Sequence, residues 1–278
     1  MSRYRKMLER PDYFRLNPNS PLAEGLVFAG LGRFPGGLRY DDATESLYGG
    51  GNHGTLTNME PATDWVWVPE LGRWALDFDG VDDYVPLNRL LFRVNADITF
   101  AVWINPRALS VQQSSVFLEG EARNYMYLTS TTVVVDQYPP GGGAFAVAVS
   151  GLVGKWTHLA YVRAGITESI YINGQATSRT GGEVYSGTTP TSSRLGAREP
   201  GGVRYVLNAL LSDFVAAERA YSQDEIRTLA DPSDPMLGGL ILPPKRRLFP
   251  SVVGSTPTNT LAILSRRNRI LSGGVGVS

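Results

Sequence analysis

The sequence predicts an all-β protein: a two-sheet antiparallel sandwich with one short helix near its C-terminal end and an extended arm on either side. Three observations carry this. Short runs in which apolar and polar residues alternate recur every ~8–12 residues, the spacing of strands in a sandwich. The 278 residues include 31 glycines and 18 prolines, which supply turns and interrupt helices. A helical period occurs once, late in the chain, and no βαβ unit or solenoid repeat is visible.

The elements follow in order. Residues 1–24 are polar, punctuated by proline and without a period, so they read as an arm. "GLVFAGLG" (25–32) reads as a first strand, and 33–64, rich in Gly, Asp, Asn and Thr, as a long loop with short strands. In "RWALDFD" (73–79) alternation puts Trp74, Leu76 and Phe78 on one side and Ala75, Asp77 and Asp79 on the other. In "DITFAVWIN" (97–105) Ile98, Phe100, Val102 and Ile104 alternate with Thr99, Ala101 and Trp103. "SSVFLEG", "YMYLTS", "TVVVDQY", "AFAVAVS" and "KWTHLAYVR" continue the series between 114 and 163. In "SIYINGQATS" (169–178) the Asn173-Gly174 pair predicts a two-residue hairpin, because such turns need positive φ at both central positions. "VRYVLNALLSDFVAAERA" (203–220) reads as one or two final strands. In "YSQDEIRTLADP" (221–232) Ser222 and Glu225 form a capping box, Ile226 and Leu229 give an apolar face, and Pro232 stops the helix.

Composition removes several function classes. Without cysteine there is no disulfide framework and no Cys-based zinc site. With 26 basic and 26 acidic residues, no global field draws the chain to nucleic acid. No run approaches the ~18 apolar residues of a membrane helix, and the basic start "MSRYRKMLERPDYF" lacks the apolar stretch of a secretory signal. The charge is nevertheless uneven. From 235 to 278 there is no acid, but Lys245, Arg246, Arg247, Arg266, Arg267 and Arg269 are present. Between these cations lie aliphatic anchors, "LGGLIL", "RLF" (with Leu248 and Phe249) and "LAIL". Disordered tails usually lack so many aliphatics. The segment reads as an arm that docks on an acidic neighbour.

Candidate sites are few. "DFDGVDD" (77–83) clusters Asp77, Asp79, Asp82 and Asp83 around one glycine. One reading is a turn whose aspartates bond local backbone amides. The other is a calcium site, which takes about 6–8 oxygens. Sugar hydrolysis needs two carboxyls flanking a cleft. No Glu-x-Asp-x-Glu occurs, and Glu119 and Glu121 stand alone in "LEGEA", so the chain is expected to be non-catalytic. His53 and His158 are the two histidines, too few for a His-rich metal site. His53 reads as a loop residue, and His158, in phase with Trp156, Ala160 and Val162, as a core histidine. Trp65, Trp67, Tyr125, Tyr127 and Tyr138 are candidate glycan platforms, although aromatics at strand spacing also serve packing.

Six segments in this order carry a resemblance: "GNHGTL" (51–56), "LDFDGVDDYV" (76–85), "ITFAVWINP" (98–106), "KWTHLAYVR" (155–163), "SIYINGQ" (169–175) and "DFVAAERAYSQDEIRTL" (213–229). Together they resemble the concanavalin A-like lectin/glucanase superfamily in its laminin G-like, pentraxin-related branch, over roughly 25–230. The resemblance implies a jelly-roll sandwich and brings Asp213 toward the acidic turn, which makes Asp77, Asp79, Asp82 and Asp213 the calcium candidates. It departs from the family pattern in "NALLSDF", which keeps one acid of a pair and has Ala209 and Ser212 where a glycine is usual. The flanking arms are similar to those of tailed-phage virion proteins.

The expectation is therefore three regions: an N-terminal arm at 1–24, a jelly-roll domain at 25–230 and a basic Pro/Gly-rich arm at 231–278. The expected role is a structural virion protein, a capsid decoration or cement protein assembled in the host cytoplasm. Its arms would bind the major capsid protein or other virion proteins, with closed symmetry such as a trimer. The alternative is a lectin-like module on a head or tail fibre that binds a host-surface glycan. No cofactor is required, calcium is left open, and neither membrane nor nucleic acid is an expected partner.

Overall fold

A strand with one apolar face must bury it, and here two sheets do so against each other. In the computed structural model the described residues are 15–17, 19–30, 32, 54–60, 62–87, 96–109, 113–119, 124–136, 144–180, 193–198, 205–234 and 237–242. They form β1 (Arg15–Leu16), β2 (Leu26–Gly30), β3 (Trp65–Val68), β4 (Arg73–Asp79), β5 (Val85–Leu87), β6 (Ile98–Pro106), β7 (Ser114–Glu119) and β8 (Asn124–Leu128). There follow β9 (Thr132–Asp136), β10 (Phe145–Ala148), β11 (Thr157–Ala164), β12 (Thr167–Ile172), β13 (Gln175–Thr180), β14 (Ser193–Leu195), β15 (Asn208–Ala217), helix α1 (Gln223–Leu229) and β16 (Ile241–Leu242). One sheet has the order β13-β12-β11-β6-β15-β4-β3, with β2 also on β15; the other has the order β10-β9-β8-β7-β14-β5. All pairings are antiparallel. This is the jelly-roll sandwich.

The alternation read from the sequence sets the core. Phe78, Ile98, Phe100, Val102, Ile104, Phe117, Met126, Leu128, Leu159 and Tyr161 fill the space between the sheets. Phe100 touches the rings of Phe117 and Tyr161 at 4.9 and 5.3 Å. At one end of the sandwich Arg179 of β13 donates to Glu168 at 2.6 Å and to the Ala144 carbonyl at 3.2 Å, and lies over Phe145 of β10. That arginine ties an edge of one sheet to an edge of the other.

The β12–β13 connection is the expected two-residue hairpin, with φ of 50° at Asn173 and 76° at Gly174. The capping box of α1 is complete: Glu225 N–H donates to Ser222 Oγ, and Ser222 N–H donates to the Glu225 carboxylate.

The outer face of the eight-stranded sheet is covered. Ala101 and Ala160 sit in register there, and such small side chains let other segments approach the sheet closely. Ile226 and Leu229 of α1, Leu22 and Ala23, and Leu237, Leu240 and Ile241 all pack on this face. β1 and β16 pair beside it, with Arg15 opposite Leu242 and Leu16 opposite Ile241. The parts of the two expected arms nearest the domain therefore belong to its packing. Tyr221 Oη donates to the Leu22 carbonyl at 2.5 Å, and Arg219 reaches the Pro21 carbonyl at 2.7 Å. Aliphatics read as anchors for a neighbour, Leu237, Leu240 and Ile241, anchor this chain to itself. Residues 245–278, with all the basic candidates, lie outside the described residues. No helix among the described residues is long and apolar enough to cross a membrane.

Candidate functional site

Three places collect chemistry-bearing side chains. The first is a seam on β15. β4 pairs with Asn208–Leu211 and β2 with Phe214–Ala217, so both strands share one flank of β15 and meet near Asp213. Asp213 takes φ 50°, and the register against β6 slips there. Its carboxylate is fully used: Oδ1 accepts from Gly32 N–H at 2.8 Å, and Oδ2 pairs with Arg73 Nη1. Gly32 is needed because a Cβ would stand 1.8 Å from the Trp74 carbonyl oxygen. Arg73 also donates to the Leu71 and Pro232 carbonyls at 3.0 and 3.2 Å, and lies over the Trp103 ring. Trp103 Nε1 donates to the Leu229 carbonyl at the end of α1. His158 stacks edge-on against Trp103 at 5.4 Å, with its Nδ1 buried and without a hydrogen bond. Burial, aided by the charge of Arg73, lowers its pKa to about 3. This is the core histidine expected, though its backbone N–H, not its ring, makes the hydrogen bond, to Asn173 Oδ1.

The second place is the acidic turn after β4. Asp79, Asp82 and Asp83 bring carboxylate oxygens within 4.8 Å of one another. Asp79 Oδ1 accepts from Val81 N–H at 2.7 Å, and Asp83 Oδ2 accepts from Asp79 N–H at 2.8 Å. Burial, opposed in part by that hydrogen bond, raises the Asp83 pKa to about 6. The other two calcium candidates are elsewhere. Asp77 is paired with Arg107, which also holds the Phe78 carbonyl and Asn208 Oδ1. Asp213 is five residues along β15 from Asn208, the partner of Asp79, on the order of 16 Å away at a strand's rise per residue. The four expected ligands are thus not one site. What remains is three carboxylates, two of them already capping the turn, where calcium takes about 6–8 oxygens. The described residues do not make that cage.

The third place is the outer face of the six-stranded sheet. Met126 and Leu128 point into the core, so Tyr125 and Tyr127 point outward, their rings 4.8 Å apart. The Arg198 guanidinium, on the loop after β14, lies 5.3 Å from the ring centres of both Tyr125 and Tyr205. Its Nη1 donates to Gln113 Oε1 at 2.9 Å, and its carbonyl accepts from Arg194 at 3.2 Å. Tyr125 is closed over, whereas Tyr127, Arg198, Tyr205 and Gln113 stay half-buried. Burial raises the pKa of both Tyr125 and Tyr127, so both phenols keep their protons. The result is an aromatic and cationic platform.

Of the sequence-derived glycan candidates, Tyr127 is thus presented on this face and Tyr125 is its underlay. Trp65 is buried in the core, and Trp67, 48% exposed, meets Trp74 at 5.7 Å at the sandwich rim. Beside them a cavity of about 20 Å3, lined by Trp65, Trp74, Phe78 and Asp213 among others, has room for one water and not a sugar. Tyr138, His53, Glu121 and the side chain of Glu119 lie outside the described residues. Arg198, Tyr205 and Gln113 escaped the sequence reading. Gln113 precedes β7, and Arg198 and Tyr205 lie in loops far along the chain from Tyr125, so no period marks them; only the β14–β7–β8 adjacency assembles them.

Known proteins share this fold. The binding domain of Paraclostridial Mosquitocidal Protein 1 superposes with TM-score 0.57 and 16% identity, over 75% of this chain and 52% of that one. Domain 4 of AbnA, an extracellular arabinanase of Geobacillus stearothermophilus solved with arabinotriose, gives 0.56 and 18%, over 74% and 98%. The receptor binding domain of botulinum neurotoxin D gives 0.54 and 10%, over 75% and 53%. The chain spans about half the length of the two toxin domains. Identities this low speak for the fold. Curated protein sequences give no match. A laminin G-type family model, described as the concanavalin A-like lectin/glucanases superfamily, matches residues 79–227, more than half of the chain. The matched span runs from the acidic turn at the end of β4 into α1 and takes in most of the strands of both sheets, and the chain belongs to that superfamily.

Proposed function

We propose that this chain is a non-catalytic binding module whose ligand is a glycan, received on the outer face of the six-stranded sheet. The observation that carries the reading is the cluster of Tyr127, Tyr125, Tyr205 and Arg198. Sugar rings present C–H faces that pack on aromatic rings and hydroxyls that need fixed polar groups, and saccharide sites combine the two. Two of the similar structures are binding domains of toxins, and a third is an arabinanase domain with a bound arabinotriose. A glycan array probed with the full chain tests the reading. Saccharide hits that weaken about fivefold or more in Tyr127→Ala, and not in Trp67→Ala, are the expected result. An array without hits ends it.

A second reading concerns attachment, and a separate observation favours it. Arg15 lies opposite Leu242, so the points at which segments 1–14 and 243–278 join the described chain are neighbours. Segment 243–278 carries six basic residues and no acid, and 1–14 carries Arg3, Arg5, Lys6 and Arg10 against Glu9 and Asp12. Two weak tethers from one point act at high effective concentration. In this reading the chain decorates a phage virion, and its tethers bind the major capsid protein or another acidic virion surface. Truncation after Leu242, which spares the packed Leu237–Ile241 segment, is expected to leave the melting temperature unchanged and abolish particle association. Truncated protein that still sediments with particles would end this second reading.

A further inference from the structure

The glycan reading leaves the chemical class of the sugar open, and Arg198 narrows it. We propose that the platform selects acidic saccharides, sugars bearing a carboxylate such as uronic or sialic acids, and that Arg198 receives that carboxylate. This rests on the glycan reading and goes beyond it.

Arg198 spends one nitrogen on the protein: Nη1 donates to Gln113 Oε1 at 2.9 Å. Its Nε–H and Nη2–H donate no hydrogen bond among the described residues. Those two groups form the side edge of a guanidinium, two parallel N–H bonds at the spacing of a carboxylate's oxygens. The plane is also held. Tyr125 and Tyr205 each sit 5.3 Å from the guanidinium carbon, and the Arg198 carbonyl is anchored by Arg194. A fork already oriented loses little rotamer freedom when an anion arrives. Contact with the tyrosine rings leaves the guanidinium edge needing an acceptor. Water fills that need in the free protein, and a carboxylate fills it with charge.

The neighbourhood fits a sugar better than a bare anion. Tyr127 is half-buried beside Tyr125, with its ring 4.8 Å away and its hydroxyl held protonated. It offers a ring face and a donor next to the charged edge. Arg194 adds a second cation to the patch. Asp136, opposite Tyr125 on β9, adds to the burial that raises the Tyr127 pKa and is an acid beside the platform among the described residues. Its placement on the tyrosine side favours the sugar's hydroxyls there and the carboxylate at Arg198.

The test is a matched pair that differs only in charge: oligogalacturonate and its methyl ester, titrated calorimetrically into the full chain. The acid is expected to bind about tenfold tighter or more, as charge-assisted bidentate bonds do. Raising the salt from tens to hundreds of millimolar is expected to weaken the acid severalfold and leave the ester unchanged. The Arg198 Nε–H resonance, assigned by its loss in Arg198→Lys, is expected to shift on titration with the acid. Ester and acid binding within twofold of each other overturns this inference and leaves the glycan reading standing. A sulfated saccharide that binds tighter than the carboxylate, or an unmoved Arg198 resonance, also overturns it. Absence of any saccharide binding removes both.

Discussion

Beneath α1, the outer face of the eight-stranded sheet carries alanines, a buried arginine–aspartate pair and an unbonded histidine ring, all covered by the chain's own ends. Across the sandwich, the outer face of the six-stranded sheet carries Tyr125 and Tyr127, and Arg198 lies over the Tyr125 ring. Both faces hold an arginine beside an aromatic ring, but the two do different things. Arg73 uses Nε, Nη1 and Nη2 on protein acceptors and is completely buried. Arg198 is half-buried and uses Nη1, while its Nε and Nη2 donate to no described residue. A buried cation whose three nitrogens all donate to the protein stabilises the fold and is closed to a ligand; a cation with nitrogens spare is available for recognition. The same contrast separates the aspartates. Asp213 joins two strands to β15, while Asp79 and Asp83 cap a turn.

The largest expected effect of breaking this contrast is at the seam. Arg73→Met strands the Asp213 carboxylate in a buried site and is expected to cost about 3–5 kcal/mol in urea unfolding. Arg198→Met, on the open face, is expected to cost about 1 kcal/mol or less, the range of partly exposed contacts. Equal losses for the two variants would show that the two faces are not distinct in kind.

Acid stability sharpens it next. The His158 pKa falls from 6.5 to about 3 on folding, so the unfolded chain binds more protons across that window. Its contribution is present above 6.5 and is lost as the pH drops toward 3. The Asp83 pKa rises from 3.8 to about 6, so the folded chain binds more protons there. Its contribution is present below 3.8 and is lost as the pH rises through 6. The two slopes oppose each other between roughly pH 4 and 6. His158→Leu is expected to tilt stability against pH downward relative to wild type over that interval, and Asp83→Asn to tilt it upward. Denaturant midpoints at half-unit pH steps read this directly, and two curves parallel to wild type would refute it.

The smallest expected effect is calcium. With Asp77 and Asp213 held by arginines, millimolar calcium is expected to move the melting temperature by less than about 1 °C, since stabilisation by a ligand requires affinity for the folded state. A rise of several degrees, reversed by chelator, would assign the turn a metal after all.

How much of this was legible depends on how local each cause is. The Asn173-Gly174 turn, the Ser222–Glu225 cap and the inward set Phe100, Val102 and Ile104 are decided within a few residues, and each was readable from spacing alone. The outward direction of Tyr125 and Tyr127 follows from the same alternation, but not the cover over Tyr125. The acidic turn was legible as acidic and not as to its partners, because Asp77 finds Arg107 and Asp213 finds Arg73 from 30 and 140 residues away. The aliphatics at Leu237, Leu240 and Ile241 were legible as sticky; their target, the chain's own sheet, was not.

Periodicity and turn chemistry are short-range, and they settle which residues extend, which bend and which side each strand turns to the core. Strand order, and with it the company each charged group keeps, depends on contacts between segments far apart in the chain. Whether Arg73 or Arg198 is the buried pin or the open edge is therefore absent from any local pattern. It is set when β15 collects β2 and β4 on one flank, and when β14 settles against β7, bringing Arg198 over Tyr125.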